Sequence, residues 1–316
     1  MKFFNWLTPS PPIDEVTKAS IERAITSVDP LIRLVRGYQD RLAPAVRHAL
    51  IYCDEIAGRI PGPYEISRSA FVTDPMVHAL FGRADAIETM LARSQCLRDQ
   101  RADTGAGNGQ CWALLGMRHR EKSGFGAAIS GNTVRLDVPQ KTLYFTDHTL
   151  AEPGTDLEAT RTRLRHALFD GLLKGFAAHL TDARNEHAHL TQAQAIEGSW
   201  ARNHDSPESH TRRLEELRMR LRTSVEALQP EALLVTLANC LAEPERFLRI
   251  DPVKISVDRT GVITGIGREG EGNTLNFVEL FGRDLRRWVV ILARIQNQEI
   301  DHAVERIDAA RRYIVI

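Results

Sequence analysis

The chain has 316 residues, with 41 basic and 41 acidic side chains, 11 His and four Cys; 43% of it is hydrophobic. That composition excludes wholesale disorder, and the zero formal charge excludes a strongly basic nucleic-acid coat protein or a highly acidic solvating tail. Cys53, Cys96, Cys111 and Cys240 form no C-x-x-C pair and no small-domain disulfide framework, and no run reaches the roughly 18 apolar residues that a membrane-spanning helix needs.

Residues 1–12 open with Phe3, Phe4, Trp6 and Leu7, then a stiff Thr8-Pro9-Ser10-Pro11-Pro12 spacer. The apolar run is too short for a secretory signal, so unpaired Cys make the cytoplasm the expected location. Four bulky apolar groups within five positions suit docking into a partner groove or peripheral contact with a membrane interface. The competing expectation is that they fold back onto their own helices.

Residues 13–104 read as helical. Asp29-Pro30 and Asp74-Pro75 each place a capping acid before a proline suited to the first helical position. Val35, Leu42, Ala49 and Ile56 recur every seven residues, beside Val46, Cys53 and Ile60, as a bundle helix requires. Pro44 is expected to kink or divide that helix. A further helix is expected over 75–101, burying Val77, Leu80, Phe81, Ala84, Ile87 and Leu91. After the Gly-rich 105–109, residues 110–150 read as a β-meander of three or four short strands, with turns at Gly131-Asn132 and Pro139-Gln140.

Residues 155–243 return to helix. Leu164, Leu168, Leu172, Phe176 and Leu180 form one apolar edge; Leu214, Leu217, Leu221, Val225 and Leu228 form another, and the polar break near 198–207 joins them as a helical hairpin. A second β-meander and a C-terminal helix are expected over 250–316, with Trp288 to Leu292 open to either helix or strand. The fold class is therefore α+β, helix-rich, with two short antiparallel β-meanders separated by a long helical hairpin. The meanders either share one antiparallel sheet or partly closed barrel, or form separate units.

Chemistry is thinly marked. Gly265-Ile266-Gly267-Arg268-Glu269-Gly270 fits G-x-G-x-x-G, but a strand pattern follows it where the phosphate mechanism needs a helix. His179, Asp182, Glu186 and His189 share one arc of a helix, so His179, Glu186 and His189 are metal-ligand candidates; a metal needs three or four converging ligands, and a solvated face is the simpler reading. Asp147 and His148 follow a strand, as acid–base pairs often do, and His119 and Glu121 end another; adjacent strand residues point to opposite sides. No nucleophile elbow accompanies them. Basic residues are 35 Arg and 6 Lys, clustered at Arg161, Arg163 and Arg165 and at Arg212, Arg213, Arg218, Arg220 and Arg222. Interleaved acids and missing aromatic residues disfavour a nucleic-acid stripe.

The expected function is a non-catalytic interaction or assembly component. It would contact other protein subunits through Phe3, Phe4, Trp6 and Leu7 and through the hairpin, with self-association through the hairpin and no cofactor. A metal-dependent or acid–base hydrolase and a nucleic-acid accessory factor are the alternatives.

Overall fold

A computed structural model describes residues 12–104, 109–130, 133–203, 208–264, 272–282 and 287–314. The protein is α+β, with two compact units that are each discontinuous in sequence: 1–53 with 168–248, and 54–167 with 249–316.

The first unit is helical. Helix α1 (Glu15–Val28) starts where the Asp14 carboxylate accepts the Thr17 N–H at 2.8 Å, and it buries Ile21, Ala24 and Ile25. Asp29 caps the following 3-10 turn through the Leu31 N–H at 2.8 Å. Its carboxylate is buried and also meets the Arg184 guanidinium, so this buried acid is both hydrogen-bonded and paired. Helix α2 (Tyr38–Arg59) is continuous through Pro44. The expected division does not occur: Pro44 removes one i→i−4 bond, and the burial of Leu42, Val46, Ala49 and Cys53 on either side of it offsets that loss. Leu42, Val46, Ala49 and Cys53 on α2 are fully buried, as their spacing predicts.

Helix α7 (Leu157–Asn203) runs for 47 residues and α8 (Glu208–Ala227) for 20. Within the first unit α7 buries Leu168, Phe169, Leu172, Leu173, Phe176 and Leu180, and after Leu180, among the described residues, only Leu190. On α8 no described residue is fully buried; Leu214, Leu217 and Leu221 are half-buried, as is Leu228 just after the helix. Helix α9 (Pro230–Ala242) buries Leu233, Leu234, Leu237 and Leu241.

The second unit is built on one sheet. Strand β1 is the dipeptide Tyr64–Glu65. The helix expected over 75–101 is instead a series: after α3 (Arg68–Thr73) come α4 (Pro75–Leu80), α5 (Ala84–Arg93) and α6 (Gln95–Thr104). Phe81 and Ser94 take extended backbone at the breaks, which turns each short helix to bury its own apolar side.

Strands β2 (Gln110–Ser130) and β3 (Thr133–Gly154) form one long antiparallel ribbon rather than three or four short strands. Pro139, expected at a turn, pairs with Phe125 inside that ribbon. Proline is tolerated there because an outer strand has N–H groups with no ladder to join. After β4 (Arg249–Val257) and β5 (Asn273–Phe281), Trp288 to Leu292 fall in β6 (Arg287–Gln296), and α10 (Asn297–Ile314) follows. β-branched residues buried on both faces explain why 287–296 is strand.

The strand order is β3-β2-β6-β5-β4, with β1 pairing in parallel to β6. Both expected meander regions therefore contribute to a single sheet. Gly261 and Ile263 hydrogen-bond to Leu143 and Lys141 of β3, while Ile263 also pairs with Val257 of β4. These bonds bridge the sheet's two edges into a partly closed barrel. One sheet face carries Leu115, Met117, Phe145, Leu275, Phe277 and Ile291 into a core shared with α3 to α6 and α10. Gly62 enters this unit with φ +117°, where a Cβ would lie 2.5 Å from the Leu292 carbonyl oxygen; only glycine fits that approach.

Candidate functional site

The β2–β3 ladder slips at three places, and the two nearest β6 are informative. Gly116 pairs with Thr149 and Arg118 with Thr146, so Met117 alone opposes Asp147 and His148. Trp112 pairs with Gly154 and Leu114 with Ala151, so Ala113 alone opposes Glu152 and Pro153. At these bulges Asp147 (φ +57°) and Glu152 (φ +51°) adopt the left-handed region that glycine usually occupies. A bulge re-aims the side chains beside it.

The first bulge sends its two polar residues to different partners. The exposed Asp147 lies 3.8 Å from Nε of Arg118, whose guanidinium sits 5.1 Å over the Trp288 ring. His148 Nε2 lies 2.8 Å from the Leu80 carbonyl oxygen, and its ring stacks on Phe81 at 4.6 Å. A carbonyl only accepts, so Nε2 carries the proton and Nδ1 keeps the lone pair. Burial pushes the His148 pKa below the ordinary imidazole value; the Leu80 bond and the Asp147 charge pull the other way and do not prevail. A neutral imidazole of fixed tautomer results. It lines a cleft of about 850 Å³ with Arg83, Thr89, Met90, Arg93 and Cys96.

A second His–acid pair lies on the core-facing side of the sheet. Glu279 is 4% exposed, and its Oε1 lies 2.6 Å from Nδ1 of His119. This contact is not an aligned hydrogen bond, and Oε1 lacks a properly directed donor. Phe277 packs beside His119 at 6.2 Å and edge-on to Phe145 at 5.7 Å. The sequence reading found His119 and missed Glu279. The signal was there: the inward positions of β5 run Leu275, Phe277, Glu279, and a charge on an inward strand position demands a partner.

A larger cleft, about 970 Å³, opens between α3–α4 and the turn after β4, with Asp74, His78, Tyr144, Asp258 and Arg259 in its walls. Asp258 accepts from the Thr260 N–H, the Thr260 hydroxyl and the Val262 N–H at 2.7 to 2.9 Å. Partial burial raises its pKa, but these bonds together outweigh it and hold the carboxyl below its usual value. Those acceptor sites are spent on the turn.

The other candidates remain apart. His179, Glu186 and His189 lie on exposed positions of α7, and Glu186 accepts from Arg220 at 3.1 Å. Among the described residues no three His, Cys, Asp or Glu side chains group as a metal site would. Burial pushes the Cys111 and Cys240 thiols up to about 12, which keeps both protonated. Within the Arg clusters, Arg213, Arg220 and Arg222 each face a carboxylate, on Glu197, Glu186 and Glu226. Phe3, Phe4, Trp6, Leu7 and the 265–270 glycine motif lie outside the described residues. No described helix is long and apolar enough to cross a membrane.

The two arms of the hairpin touch through His187 and Ser224 at 3.2 Å and through Glu197 and His210 at 2.5 Å. Large apolar groups on the two helices are partly exposed: Ile196 52%, Trp200 55%, Met219 66% and Val225 43%. The chain is thus an α+β protein with a bridged antiparallel sheet. No known family matches it, and no curated protein or solved structure is detectably similar.

Proposed function

We propose that the protein is an assembly component that binds other protein subunits through its α7–α8 hairpin, with Phe3, Phe4, Trp6 and Leu7 as a second contact. The observation that carries this reading is the apolar exposure of Ile196, Trp200, Met219 and Val225 on arms that, among the described residues, bury only Leu190 beyond Leu180. Large exposed apolar groups rimmed by charge are the mark of a contact surface. The test is an Ile196→Asp/Trp200→Asp double variant and a deletion of residues 1–8, each compared with the intact protein. The expected result is an unchanged circular dichroism spectrum with loss of higher-mass complexes in light scattering. Complexes that persist unchanged in both variants overturn the proposal.

A second reading rests on His148. A neutral imidazole with one nitrogen fixed as donor and the other left as acceptor, in a cleft, is a competent general base. Asp147 would act only through its field, since it faces Arg118. Hydrolysis of p-nitrophenyl acetate faster than equimolar imidazole, and lost in His148→Gln, favours this reading. A rate no faster than imidazole removes it.

A further inference from the structure

We propose that α8 pairs antiparallel with α8 of a second copy of this chain, about a twofold axis at Met219; this rests on reading the hairpin as a contact surface. The half-buried Leu214, Leu217, Leu221 and Leu228 face α7, and at about 100° per residue the opposite side of α8 is centred on Met219. Arg212, Glu215, Glu216, Met219, Arg222, Thr223 and Glu226 make up that side, and all seven are exposed. Met219 is the one large apolar group among them.

The charges on this side are arranged to match themselves. A twofold axis in the plane of contact reverses the helix direction and keeps each residue on its own flank of the seam. Glu215 and Arg222 share one flank, on either side of Met219 along the helix. Glu215 of one copy therefore meets Arg222 of the other. Arg212 and Glu226 stand two turns before and after Met219, close to the midline, and meet in the same way. Symmetry doubles each pairing, giving four ion pairs around a Met219–Met219 contact. Arg218 and Arg220 point about 100° off the seam, and Arg220 is held by Glu186. Arg222 and Glu226, now paired within the helix at 3.1 Å with 78% and 65% side-chain exposure, can exchange partners at little cost. A second copy is the occupant because the pattern is its own complement; an unrelated partner has no reason to share it.

Such an interface is small and charge-rich, so association is measured by sedimentation from about 1 μM to 1 mM, at low and at physiological salt. Arg212→Glu and Glu226→Arg are each expected to weaken dimers roughly tenfold, because each turns two attractions into repulsions. The double variant carrying both reversals is expected to regain wild-type association, since the isologous contact is restored. Circular dichroism verifies that each variant keeps its helix, and a merely structural role for these residues would not produce rescue. Met219→Cys is expected to form a disulfide-linked dimer under mild oxidation where Thr211→Cys and the unaltered chain do not. A chain that stays monomeric throughout with no Met219→Cys cross-link overturns the pairing, as do dimers indifferent to charge reversal. If the pairing fails while Ile196→Asp/Trp200→Asp still disrupts larger complexes, the hairpin reading stands without it.

Discussion

The sheet of the second unit and the hairpin of the first carry equally regular apolar patterns, and they use them differently. Leu275 on β5 is 1% exposed, while Leu221 on α8 is only half-buried. Both sit at the expected spacing for their element. Leu275 lies in a layered core, with the bridged sheet on one side and α3 to α6 and α10 beyond it. Leu221 lies on α8, where no described residue is fully buried. Two helices in contact leave each stripe open along its edges, whereas a sheet face covered by helices has neighbours all round. Periodicity names the buried side, and the number of packed layers decides how far burial goes.

The largest expected difference comes from making the same change in both places. Leu275→Ala should cost about 3–5 kcal/mol and Leu221→Ala about 1 kcal/mol, measured by urea unfolding, since cavity cost scales with how completely the site is enclosed. Equal losses would break the comparison. Gly62→Ala should cost about 1–3 kcal/mol, because φ +117° is strained for alanine and its Cβ would strike the Leu292 carbonyl. A loss within experimental error would show that the β1 connection yields easily. His119→Ala should cost about 1–3 kcal/mol by leaving the Glu279 carboxylate buried without its neighbour. At the small end, Glu186→Ala should change stability by less than about 0.5 kcal/mol, since its pair with Arg220 is exposed on both sides.

The pH dependence of the second unit sharpens the contrast. His148 has a lowered folded-state pKa, so just below the ordinary imidazole value of 6.5 the unfolded chain binds more protons than the folded one. Stability therefore falls as pH drops through that value and levels off below the folded one. In His148→Phe, which keeps a ring against Phe81, this part of the slope should vanish. Matching unfolding midpoints between pH 7.5 and 5 for the two proteins will show it; parallel slopes would mean that His148 is not the group responsible.

Where local chemistry decided the outcome, it could be read in advance. Asp29-Pro30 and Asp74-Pro75 start helical turns, because a side-chain cap and a fixed φ act within a few residues. The apolar stripe of α2 is buried for the same reason. Long-range pairing was the part that escaped. Pro139 looked like a turn and is an outer-strand residue, because its place was settled by Phe125 across the ribbon. Residues 75–101 looked like one helix and form three, because each turn of chain had to meet the sheet. Of the candidate sites, His148 was found without its controlling neighbours, Leu80 and Phe81, which lie far from it in sequence.

By itself the sequence determined the α+β class, the caps and the apolar sides of the helices, all consequences of spacing and backbone preference within a turn or two. Only the tertiary structure decided that both strand regions join one bridged sheet, that the His148 ring is held on the Leu80 carbonyl, and that Glu279 is buried beside His119. Those features depend on which distant groups become neighbours, and a linear pattern does not encode distance across the fold.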